Sequence, residues 1–167
     1  MNNCLIAENV SIGLDYSHKY LQSVEDGEPD KWINISIKVG ETHLYGAAGG
    51  VRGFAWGFVD ALLDSIDSIN KDERHIIELE YGPTWLIIEP NGSDSVNVAR
   101  CTVPQGRENP EKRLDIDKSQ PVYKQVWINE VLRVAEEFYS KTTQHNPELT
   151  NKRTIKDLNK KMQQKKK

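Results

Sequence analysis

Apolar and polar residues alternate along this chain in two different rhythms. From Trp32 to Val39 the period is two. Ile33, Ile35, Ile37 and Val39 point one way and Asn34, Ser36 and Lys38 the other, which predicts a half-buried strand with a firm register. Val10, Ile12, Leu14 and Tyr16 alternate with Asn9, Ser11, Gly13 and Asp15 in the same manner, within a predicted strand over Cys4–Tyr16. From Val51 to Lys71 the spacing lengthens to three and four. Val51, Ala55, Phe58, Val59, Leu62, Ile66 and Ile69 then share one side of a predicted helix. Its other side carries Asp60, Asp64, Asp67 and Lys71, with Trp56 one turn before Asp60.

Period two returns over His75–Tyr81, where Ile77, Leu79 and Tyr81 oppose Glu78 and Glu80. Gly82-Pro83 and Asn91-Gly92 are turn signals, so residues 74–103 read as a three-stranded antiparallel meander. A short edge strand over Lys112–Asp117 is expected to follow, with Leu114 and Ile116 inward. Ser119 and Pro121 read as the start of a second helix over Tyr123–Ser140, with Trp127, Val131, Ala135 and Phe138 on one face. His18–Asp30, with Gly27 and Pro29 among charges, reads as a surface loop. The predicted fold class is α+β: a two-layer sandwich, a mainly antiparallel sheet of five to six strands with two helices on one face. Residues 1–148 form one domain in this reading, and 149–167 a basic, flexible C-terminal tail.

Composition fits a soluble globular chain, with 37% hydrophobic and 28% charged residues in 167. No apolar run reaches the ~20 residues a bilayer span requires, and MNNCLIAENV lacks the features of a secretory signal. With only Cys4 and Cys101, a disulfide framework is excluded and a cytoplasmic location expected. Charge changes the picture further. Residues 151–167 hold eight Lys or Arg against Asp157, so the net charge of -3 conceals a body of -10 and a tail of +7. An acidic body attracts basic partners and argues against nucleic-acid binding by the folded domain.

Candidate chemistry is sparse. His18, His43, His75 and His145 are scattered without ligand spacing, so no metal or cofactor is expected. Gly46-Ala47-Ala48-Gly49-Gly50 matches no phosphate-binding fingerprint and reads as a turn. Glu78 and Glu80, with Glu89 on the next strand, could be paired acid and base, but their alternation is that of a wet sheet face. Trp32, Trp85 and Trp127 fit the core pattern. Trp56 stands instead beside the acidic row, where an aromatic anchor with a charged rim marks a protein interface. The competing reading is that another element covers it.

The strand Trp32-Ile33-Asn34-Ile35-Ser36-Ile37, the helix over Phe54–Leu63, the hairpin strand Trp85-Leu86-Ile87-Ile88-Glu89 and a final helix together resemble small bacterial immunity proteins of the WapI-type families, over about residues 4–140. The resemblance implies a non-enzymatic cytoplasmic protein that binds and neutralises one cognate toxin, with no cofactor and no membrane partner. The expected toxin-binding residues are Trp56, Asp60, Asp64, Asp67, Glu78 and Glu80. Two alternatives stay open: an enzyme on an α+β scaffold, or an RNA- or membrane-associated adaptor acting through the basic tail.

Overall fold

The computed structural model describes residues 5–46, 51–79 and 83–167. Among these, eight strands in two antiparallel sheets and four α-helices make an α+β fold. The first sheet holds β1 (Val10–Asp15), β2 (Trp32–Val39), β3 (Thr42–Tyr45) and β4 (Val51–Phe54). β1 pairs with one edge of β2, while β3 and β4 lie end to end along the other. The second sheet is a meander, β5 (His75–Leu79), β6 (Thr84–Pro90), β7 (Ser95–Cys101) and β8 (Ser119–Tyr123), in that spatial order. The helices are α1 (His18–Glu25), α2 (Ala55–Asn70), α3 (Lys124–His145) and α4 (Arg153–Lys165). The single sheet with two helices expected from the pattern is thus divided into two sheets and gains two helices.

The β2 register follows the pattern. Ile33, Ile35, Ile37 and Val39 are all buried, and Ile12 of β1 sits opposite Ile37. These side chains join Leu86 and Ile88 of β6, Leu62 and Ile66 of α2, and Trp127 and Phe138 of α3 in one core. Trp127 donates its indole N–H to Ser65 Oγ at 3.1 Å, and that hydroxyl in turn donates to the Leu62 carbonyl. The one polar atom of the largest core side chain is thereby satisfied.

β1 would be an open sheet edge, but α3 closes it. Glu130 accepts from the Ile12 backbone N–H at 2.7 Å, and Arg133 donates to the Ile12 carbonyl at 2.9 Å. Side chains here take the place of a further strand and leave little for an intruding chain to pair with.

Four local expectations need correction. α1 occupies a stretch expected to be loop: Ser17 caps it, accepting from the Tyr20 N–H, and Tyr20 and Val24 are buried. Residues 51–54 are strand, not helix, because Val51 and Gly53 pair with Ile35 and Ile33; α2 begins only at Ala55. Ser119–Tyr123 is an edge strand rather than a helix start, with Pro121 tolerated there and its carbonyl accepting from Ala7. Lys112–Asp117 is not a strand: Asp117 turns in to accept from the Thr102 N–H and hydroxyl, and Arg113 runs beneath the loop.

The largest correction concerns residues 149–167, expected to be a flexible tail. They fold onto the body as a 3-10 turn followed by α4, whose Ile155, Leu158 and Met162 are buried in the main core. Those three positions are the shared apolar side of the basic segment. An amphipathic helix too short to persist alone is held by packing. No helix among the described residues is long and apolar enough to cross a membrane.

Candidate functional site

The expected binding row is where α4 docks. Lys161 reaches between Asp60 and Asp64, at 2.7 and 2.8 Å, and Lys165 pairs with Asp67 at 2.6 Å. Burial alone would lower the Lys161 ammonium pKa, but its hydrogen bonds to Asp60 and Asp64 outweigh that and raise it. Trp56 donates its indole N–H to the Thr154 carbonyl at 3.2 Å. It anchors the chain's own last helix. The four side chains are therefore not a free rim around an exposed aromatic, because i, i+4 spacing on α2 matched a lysine-bearing face within the same chain.

Asp64 and Glu78 nevertheless border the same space, Asp64 from α2 and Glu78 from the edge strand β5, where it stands on the face it shares with Trp85. They line a groove of about 510 Å³ between α2, the end of β4 and the terminal strand β5. Asp30, from the loop before β2, is the third carboxylate. Phe54, Phe58, Ile77 and Leu79 give the groove apolar walls. Asp30 also accepts from the Gly57 N–H at 3.3 Å, so the start of α2 fixes its position. Asp64 stands at the boundary, with Lys161 on one side and the groove on the other. Glu80 lies outside the described residues. Sequence reasoning missed Asp30 because EDGEPD reads as ordinary loop; it reaches the start of α2 only because β2 pairs with β4, which leads into that helix.

His75 sits at the groove's end and ties β5 to α2. Its Nε2 lies 2.9 Å from the Ala61 carbonyl, which can only accept, so Nε2 carries the proton. Nδ1 is left to accept from the Ser68 hydroxyl at 3.2 Å. This has the polarity of a serine–base pair, yet Ser68 does not line the groove, and the ring serves to join two elements. Burial pushes the His75 pKa below its ordinary value of 6.5, against the raising effects of Ala61 and Asp64. The unfolded chain then takes up the proton first as pH falls. The stabilisation is complete above about 6.5 and is lost as pH drops through the folded value. We expect the slope of stability against pH between about 6.5 and that folded value to flatten in His75→Gln, as read by urea unfolding at stepped pH.

Glu89, expected on a wet face, is buried on the outer side of the second sheet. Arg113 grips it through two bonds, Nη1 to Oε1 at 2.7 Å and Nη2 to Oε2 at 3.0 Å. Arg74 and Asn97 each add one at 3.1 Å. Beside it Trp85, Ile87, Ala99 and Cys101 form a second small core under the 102–118 loop, so β6 is buried on both faces. These groups brace the loop. Trp32, expected in the core, is instead 46% exposed.

No group of three or more His, Cys, Asp or Glu among the described residues could hold a metal ion. Comparison with protein-family models, with curated proteins and with solved structures finds no match to this chain.

Proposed function

We propose that this protein is an immunity-type binding protein, which neutralises a cognate toxin domain by seating a basic segment of it in the acidic groove. The observation that supports this reading is that three carboxylates from separate elements, Asp30, Asp64 and Glu78, border one groove. A lysine or arginine fits such a groove, with its stem on Phe54 and its charge at the carboxylate rim. The binding face thus moves from the row first expected. Asp60, Asp64 and Asp67 all hold α4, while Asp64 also borders the groove with Asp30 and Glu78.

Charge at an interface rim acts mostly on the association rate. With the toxin domain encoded beside this gene as ligand, the pair Asp30→Asn and Glu78→Lys is expected to slow association about tenfold or more at low salt. Asn retains the acceptor that caps α2, so a folding defect is avoided. Unchanged kinetics in that variant, measured by stopped flow, overturn the groove as the site.

A further inference from the structure

Among the described residues, the outer face of the first sheet is exposed to solvent. Cross-strand partners set out its rows: Phe54 beside Trp32, then Arg52, Asn34 and Asp15, then Ser36 and Gly13. Their exposure agrees, with Trp32, Asn34, Ser36, Asp15 and Arg52 all reached by solvent. The floor is low where Gly13 faces Ser36: a Cβ on Gly13 would stand 2.6 Å from Ser36 Oγ. Two adjoining hollows of about 240 and 460 Å³ share Asp15, Asn34 and Arg52.

Two properties distinguish this face from the rest of the acidic body. Its aromatic, Trp32, is exposed and leans on Phe54 at a tilt, with centroids 4.6 Å apart and an interplanar angle of 34°. That contact restricts the indole without covering its exposed part. The local charge is also reversed: Lys19, Lys31 and Arg52 line the first hollow against Asp15 alone, although Lys31 also reaches Glu28 at 3.0 Å. An exposed π-face beside cations is the combination that takes unpaired bases and their phosphates. Asn34 lies one strand from Arg52 and offers an amide donor and acceptor at the base edge.

We propose that this sheet face binds single-stranded nucleic acid, with a base stacked on Trp32 and flanking phosphates on Arg52 and Lys19. An acidic peptide would match the cations but makes no use of the exposed indole, so the nucleotide chemistry accounts for more of the face. The surface adjoins the acidic groove at Phe54 but shares none of its charged residues, and the proposal does not depend on the toxin reading.

The test is fluorescence anisotropy of a short labelled oligouridylate titrated with the full chain at low salt. Wild type is expected to bind, with affinity falling steeply as salt rises. Trp32→Ala is expected to weaken binding by about five- to a hundredfold, and Trp32→Phe to restore most of it. Arg52→Ala, at an exposed position, should weaken binding and reduce the salt slope by about one. No binding at low salt overturns the proposal. So does equal binding by wild type and Trp32→Ala, or displacement of the oligonucleotide by polyglutamate at a lower concentration than by unlabelled oligouridylate.

Discussion

Replacing Glu89 by Gln is expected to destabilise the protein by about 3–5 kcal/mol, the cost of leaving a buried charge without its partner. Both side chains of the Glu89–Arg113 pair are 8% exposed, so water cannot take over for the lost carboxylate. Gln keeps the shape and one acceptor but turns the other oxygen into a donor, so the charge and one of the paired Arg113 bonds are lost together. Arg74, one-third exposed, can turn outward, and Arg74→Ala should cost far less. Urea unfolding of Glu89→Gln, Arg113→Met and the double variant closes a cycle, and the double variant should lose less than the sum of the two. The same carboxylate gives a pH signature. Burial raises its pKa, but the hydrogen bonds from Arg113 and Asn97, with the Arg113 charge and the Arg74 bond, prevail and hold it below the ordinary value of 4.5. The unfolded chain therefore binds a proton first as pH falls. This stabilisation is full above about 4.5 and disappears as pH falls through the folded value, a dependence that Glu89→Gln should lack.

The second large effect belongs to α4. Leu158→Ala is expected to cost about 2–5 kcal/mol, the range for emptying a buried leucine site. Lys161→Ala should cost about 1 kcal/mol or less, because its partners Asp60 and Asp64 remain partly open to solvent, where ion pairs contribute little. The contrast assigns the helix's attachment to its apolar side, and the lysines to orientation. Denaturant midpoints for the two variants measure it directly. Were the segment a solvated end, both substitutions would fall within about 0.5 kcal/mol of wild type.

The strongest periodicities were legible because one physical demand set them. β2 must bury four β-branched side chains on one face, and no other register does so. α2 and α3 likewise follow their apolar stripes, and the β6–β7 hairpin follows Asn91-Gly92, where Gly92 takes a φ of 82° that suits glycine. What escaped depended on distant partners. α1 buries only Tyr20 and Val24, too few positions to set a rhythm among charges. The 102–118 loop is shaped by Arg113 reaching Glu89, a pairing across 24 residues that no local pattern announces. α4 carries a clear apolar side, but its lysines suggested repulsion until the aspartates of α2 supplied the opposite charge. The candidate site was legible by the same rule. Asp64 and Glu78 were found through their place on amphipathic elements, whereas Asp30 joins them only because the chain turns back before β2.

The proposed function requires that the groove between α2 and β5 be the surface that meets a toxin. Hydrogen exchange of the full chain, with and without the toxin domain encoded beside its gene, tests this most directly. Slowed exchange concentrated at His75–Leu79 and around Asp30 is the predicted footprint. Protection confined to other elements, or none at saturating toxin, would contradict it.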